Sequence, residues 1–311
     1  MGSDRGADPG PVEWLEAAPV ALGGPRGLGV TRTLPNKGRR TVGAWCFLDA
    51  YGPHELAGSA GMRVGPHPHI GLQTVSWLVS GEVLHRDSLG SLREIRPGQL
   101  NLMTAGRGIS HSEETPAEHT PVLQGVQLWV ALPDSDRDVA PAFDTYADLP
   151  VVADGGLAAT VLLGTLAGAT SPARAYTPLV GAEITLAAGS DSRLPLQSDF
   201  EYAVLALDGA ATVDGATLKP GPLLYLGTGR TSLRLAAGSP ARVLLLGGEP
   251  FEERLVMWWN FVGLAAQPAH CPGGVSAHIF AAFLQLTAFL QVLQVLDPMS
   301  SLVGGHLGQE L

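Results

Sequence analysis

Short runs of β-branched, aromatic and aliphatic residues, broken by glycine, proline and small polar residues, recur along most of this 311-residue chain. That is the signature of strands separated by turns. Residues 28–35 (LGVTRTLP) read as a strand, 36–40 (NKGRR) as a turn and 42–48 (VGAWCFL) as a buried strand. Arg39 and Arg40 are expected at a solvated hairpin tip. Residues 74–79 (TVSWLV), 83–85 and 100–103 (LNLM) continue the series, with turns at 80–82, 88–91 and 96–98. A glycine loop at 105–108 (AGRG) leads into a further short segment. Residues 122–132 (VLQGVQLWVAL) alternate clearly, and Gly125 between Gln124 and Gln127 marks a bulge. Strand and turn repeated in this way predict a small antiparallel barrel.

The period is lost over 133–150 (PDSDRDVAPAFDTYADLP), an acidic segment bounded by prolines. It is expected to connect two domains, and its aspartates lack the oxygen-ligand spacing of a calcium loop. A second barrel is expected beyond it because part of the pattern repeats. Residues 219–230 (KPGPLLYLGTGR) lie on 96–107 (RPGQLNLMTAGR) without a gap, with the proline, both glycines and the basic ends coinciding. The organisation predicted is a loose start over 1–12, a first barrel over 13–135, a connection over 136–150, a second barrel over 151–263 and an apolar tail over 264–311.

The tail differs from everything before it, since 264–296 contain no Asp, Glu, Lys or Arg. Residues 275–296 are long enough on paper to cross a bilayer, but their glutamines and His278 weigh against a membrane. A docked apolar helix, an anchor and sequence from a shifted reading frame are the three readings, the third preferred; the mass of the intact protein tests it.

Composition narrows the class. Forty glycines and twenty-four prolines punctuate strands far better than helices, which points to an all-β protein. Nineteen basic against twenty-nine acidic residues give a net charge of −10, with no run of Lys or Arg. Direct, phosphate-driven binding of nucleic acid is excluded on that ground. The two cysteines, Cys46 and Cys271, lie far apart and imply no disulfide framework. With no apolar signal segment at residues 1–12, a reducing, cytoplasmic setting is expected.

The chemistry is concentrated in two short motifs, His67-Pro68-His69 and His111-Ser112-Glu113. Residues i and i+2 of a strand project from one face, so each pair can enter a common cavity. Three imidazoles and a carboxylate so gathered make a first-row transition-metal site without thiolate. His54, His85 and His119 are read as lacking a partner at that spacing and as ordinary hydrogen-bonded residues. In the repeat, His67 and His69 fall on Pro195 and Gln197, and His111 and Glu113 on Arg234 and Ala236. Arginine and alanine offer no ligand atom. One metal is therefore expected, in the first barrel only.

The early HPH, the TAGRGI loop at 104–109 and the HxE that follows resemble the pirin family of bicupins, within the cupin superfamily, over residues 28–263. Gln73 stands where the first cupin motif usually carries a carboxylate, and is read either as a ligand-binding side chain or as a surface residue. Trp258 and Trp259 lie in a stretch similar to the one that closes the second pirin barrel, and are expected to pack. The resemblance implies two tandem cupin-type antiparallel barrels with a metal, typically Fe(2+), on His67, His69, His111 and Glu113. Mn, Co, Ni and Cu suit the same donors. It also implies a dioxygenase acting on quercetin-like flavonols or other chelating enols, with Glu113 as general base. The alternative is a metal-dependent regulator that binds a transcription factor or a metabolic enzyme.

Overall fold

Glycine and proline end each apolar run before a helix can form, and the described residues contain strands, one 3-10 turn at Asp134–Asp136 and no α-helix. The structure is a computed structural model that describes residues 12–22, 28–258 and 260–264. Of the described residues, those within 12–252 and 260–262 belong to one unit, 253–258 and 263–264 to another.

In the first barrel the strands pair as nested antiparallel partners. Trp45–Glu55 pairs with Val122–Ala131, Arg63–His69 with Ile109–Glu114, Leu72–Ser80 with Leu100–Thr104, and Val83–Asp87 with Leu92–Ile95. The chain is thus one long hairpin rolled over on itself, and successive nested pairs fall alternately into a seven-stranded and a four-stranded sheet. Tyr51 and Leu78 of the first sheet and Val83 and Ile95 of the second share one buried cluster. Gly125 sits at the expected bulge, where a Cβ would come within 2.6 Å of the Trp77 carbonyl oxygen.

The second barrel repeats the nesting. Leu179–Leu186 pairs with Ala241–Gly248, Ser190–Pro195 with Ser232–Ala237, Glu201–Asp208 with Leu223–Gly227, and Ala211–Val213 with Ala216–Leu218. The architecture is the expected all-β pair of antiparallel barrels. One large core joins them, with Trp45, Trp77 and Leu128 from the first and Leu205, Leu223 and Leu246 from the second. Burying an indole leaves its N–H in need of an acceptor. Trp45 Nε1 donates to the Val180 and Gly247 carbonyls at 3.1 and 3.2 Å, and Trp77 Nε1 to Glu183 at 2.7 Å.

Several segments depart from the sequence expectation. Glu13–Leu15 pairs with Leu223–Tyr225 in the second barrel's sheet. Ala142–Tyr146, inside the expected connection, pairs with Leu100–Thr104 as an edge strand of the first barrel. Arg39 is no solvated tip: its guanidinium lies 3.4 Å over the Tyr225 ring and pairs with Glu13 and Glu201 at 3.3 and 3.7 Å. Trp258, expected to pack, is 52% exposed. Trp259 and the tail from residue 265 lie outside the described residues. Among the described residues no helix is long and apolar enough to cross a membrane.

Candidate metal centre

The two histidine motifs lie on neighbouring strands of the four-stranded sheet, where the sequence suggested strands facing one another. His111 is directly opposite His67 and Ile109 opposite His69, with a register shift before Glu113, which stands opposite Val64. On its other edge the same strand, Ile109–Glu114, pairs with Val83–Asp87, so that His111 faces Asp87 and Glu113 faces His85. The loop that delivers this strand needs glycine at 106. Its φ is +51° and a Cβ there would lie 2.0 Å from the Val139 carbonyl oxygen.

His69 Nε2 and His111 Nε2 are 3.1 Å apart. The rings of His67 and His69 are 4.9 Å apart, those of His67 and His111 4.4 Å, and those of His69 and His111 5.0 Å. Burial, reinforced by the neighbouring imidazoles, holds His69 and His111 well below the usual imidazole range. Burial also lowers His67, against the Gly65 carbonyl, which accepts from Nδ1 at 2.9 Å. Nδ1 of His69 faces the Asn260 backbone, which favours the protonated ring, without a bond of ordinary geometry. Neutral rings bring lone pairs to the centre. Neighbouring nitrogens each about 2.1 Å from one ion and at right angles around it are about 3.0 Å apart, close to the spacing seen here. The donor set therefore fits a divalent transition ion.

Glu113 is buried, and burial pushes its carboxyl up to about 7 against the lowering effect of the Ser76 hydroxyl. Ser76 Oγ lies 3.3 Å from Glu113 Oε1 and 2.9 Å from Gln127 Oε1. The one hydroxyl proton can serve only one of these acceptors. Two groups of donor atoms, each within 4.8 Å of one another, could hold an ion: His67, His69 and His111, and then His85, His111 and Glu113. His111 belongs to both.

His85 corrects the sequence reading. It is buried, its Nε2 lies 3.1 Å from Asp87 Oδ2 and its Nδ1 lies 3.4 Å from His111 Nδ1. The signal was present as His85-x-Asp87, the same spacing as in the two motifs. His54 and His119 are the ordinary residues expected, bonded to the Gly29 and Thr120 carbonyls at 2.7 and 2.8 Å. Gln73 is not a surface residue. It is fully buried, and its amide donates to Thr104 Oγ1 and the Arg174 carbonyl at 2.9 and 3.2 Å.

The second barrel places no such group among the described residues, but for a reason other than the aligned letters. Register puts Arg193 opposite Arg234 and Leu194 opposite Leu233. Alternation runs one residue out of phase, so Arg234 points outward onto Asp191 at 2.5 Å, while Leu194, Leu233 and Leu235 are buried. Among the described residues both candidate ion-binding groups lie in the first barrel.

A cavity of about 560 Å³ opens beside the imidazoles, lined among others by Arg32, Phe47, His67, His69, His111, Glu113, Gln127 and Trp129. Phe47 and Trp129 stack at 4.0 Å, 11° from parallel, and His69 meets Trp129 edge-on at 5.2 Å. Arg32 lies 4.4 Å over the Phe47 ring and holds Asp49 by two hydrogen bonds of 2.8 and 2.7 Å. The cavity is thus lined by aromatic, charged and imidazole side chains.

Comparison with known proteins gives this arrangement its relatives. Residues 27–130 match the family model described as Pirin, and residues 181–267 that of the Pirin C-terminal cupin domain. A protein of Pseudomonas aeruginosa, provisionally named quercetin 2,3-dioxygenase, is 50% identical over 253 residues, 81% of this chain and 79% of that one. A pirin-like protein of Caulobacter vibrioides is 40% identical over 242 residues, 75% of this chain and 82% of its own. The crystal structure of quercetin 2,3-dioxygenase from Acinetobacter baumannii matches with a TM-score of 0.82 at 42% identity, covering 89% of each chain. With a pirin domain over the first barrel and a pirin C-terminal cupin domain over the second, this chain belongs to the pirin family of bicupins.

Proposed function

We propose that the chain binds one divalent transition ion, Fe(2+) in its working form, on His67, His69, His111 and Glu113, and cleaves a planar chelating enol of the flavonol type with dioxygen. The observation that carries this reading is the pair of imidazole nitrogens 3.1 Å apart beside a cavity lined partly by aromatic side chains. Similarity to the Acinetobacter quercetin 2,3-dioxygenase, and to the Pseudomonas protein provisionally given the same name, supports the substrate class.

When bound, the ion supplies Lewis acidity toward a chelating oxygen and a redox-active centre for dioxygen chemistry. The chain's own residues do the rest. Half-buried His67 and buried His69 and His111, all held below the usual imidazole range, offer nitrogen donors to the centre. Phe47 and Trp129 line the cavity with apolar aromatic surface, and the Arg32 and Asp49 pair adds charge. Glu113, lifted by burial to about 7 in the ion-free site, is the carboxyl that would accept the enol proton. A base whose pKa lies near ambient pH is both available and strong enough for that transfer. A cation beside it draws the same carboxylate toward the ionised form, so its ligand and base roles succeed one another as substrate enters.

The test is ion content of protein purified without added metal, followed by oxygen uptake with quercetin. About one ion per chain and metal-dependent uptake are expected, both lost in His69→Ala, with uptake in Glu113→Ala reduced about 10²–10⁴-fold. A loaded protein that consumes no oxygen would leave the regulatory reading in possession; a chain that takes no ion would sink both.

A further inference from the structure

His85 and Asp87 lie outside the four proposed ligands, yet both are buried beside them. The His85 ring stacks on Phe143 at 4.0 Å, 11° from parallel, which fixes its plane. Asp87 Oδ1 accepts the backbone N–H groups of Leu89 and Ser91 at 2.9 and 3.0 Å, leaving Oδ2 for His85 Nε2 at 3.1 Å. Burial opposes its charge, but hydrogen bonds from His85, Ser91 and Leu89 hold Asp87 below the usual carboxylate range.

The protons along this line can be assigned one by one. An ionised carboxylate only accepts, so the proton between Asp87 and His85 sits on His85 Nε2. A neutral imidazole carries one N–H, which leaves His85 Nδ1 bare. The atom it faces is His111 Nδ1, at 3.4 Å, and the proton between the two rings must come from His111. Its Nε2 is then bare, 3.1 Å from His69 Nε2. His67 reaches the same state by a shorter route, through its Nδ1 bond to the Gly65 carbonyl.

We infer that Asp87 and His85 are positioning residues that, through two successive hydrogen bonds, hold His111 in the tautomer protonated on Nδ1, so that Nε2 faces the centre as a donor. The inference rests on the reading above that the imidazole cluster takes an ion. Outer partners of this kind set the tautomer and orientation of ligating histidines; here a second imidazole stands between the ligand and the carboxylate. Strand register supports the line, since Asp87 lies directly opposite His111.

Asp87→Asn tests it without emptying the space. The Leu89 and Ser91 N–H groups keep the amide oxygen on their side, so the amide nitrogen turns to His85 and donates to Nε2. His85 then carries its proton on Nδ1, and His111 is driven to the opposite tautomer, with its proton where an ion would bind. In metal-free protein labelled with ¹⁵N-histidine, His111 is expected to be protonated on Nδ1 in the wild type and on Nε2 in Asp87→Asn. Cobalt(II) titrated against a competing chelator should bind about 10–100-fold more weakly to the variant. Wild-type His111 protonated on Nε2 overturns the inference, and that measurement needs no variant to fold. So does a folded Asp87→Asn with the wild-type tautomer and cobalt affinity. Should the wild type take up no cobalt, the ion-binding reading fails, while the tautomer spectra still decide this one.

Discussion

The two barrels share one nested plan and differ in what their matching strands turn inward. Arg63–His69 and Ile109–Glu114 gather His67, His69, His111 and Glu113 around a cavity. Ser190–Pro195 and Ser232–Ala237 bury Leu194, Leu233 and Leu235. Alternation along a strand fixes direction and is indifferent to chemistry. The same backbone can therefore close its middle with leucine or line a hollow with titratable groups. The first barrel gathers buried imidazoles and the Glu113 carboxyl beside a cavity, while the second closes the corresponding space with leucine.

Three experiments probe that division, beginning with the one of largest expected effect. Leu235→Ala should cost about 2–5 kcal/mol, as a truncated core leucine does, read from urea unfolding. His111→Ala in metal-free protein should cost about 1 kcal/mol or less. Equal losses would break the contrast between a supporting and a serving barrel.

The second experiment concerns pH. Glu113 is lifted in the folded chain from 4.5 to about 7, so between those values the folded state holds more protons than the unfolded one. Its contribution to stability therefore falls as pH rises through that window, by up to about 3 kcal/mol. His67, His69, His85 and His111 act in the opposite sense: their folded values lie below 6.5, so stability falls as pH drops beneath it. Glu113→Gln removes only the first effect. Metal-free Glu113→Gln should be more stable than wild type near pH 8 and little changed near pH 4.5, as thermal unfolding at both would show. A shift of the same size at both would mean that its charge is not what costs stability.

The third and smallest concerns the outward position that mirrors a ligand. Arg234→Ala, which removes an exposed partner of Asp191, should leave both the unfolding midpoint and the ion content unchanged. Any loss of ion would show that the second barrel reaches the centre after all.

Most of the fold and the core of the site were readable from local pattern. The strands at 28–34, 45–48, 74–79, 83–85, 100–103 and 122–131 follow from their apolar runs, and the two i, i+2 motifs lie side by side in one sheet. What escaped is non-local or phase-dependent. The gapless match of 96–107 to 219–230 rests on turn residues, which cannot report that the following strand runs one residue out of phase, and so Arg234 seemed to stand at a ligand's place. His85 was hidden because its partner two residues on, Asp87, was not weighed beside it. The five residues of Ala142–Tyr146 are too few to show a period between prolines, and their strand exists only against Leu100–Thr104.

Glu13–Leu15 finds its place only against Leu223–Tyr225. As the chain leaves the ribosome, the first of the described strands must wait, edge open, until residue 225 has been made. Arg39 waits with it, since its aromatic seat is Tyr225. Translation therefore cannot finish the first barrel's surroundings before the second is nearly complete, and a break between the halves would strand both.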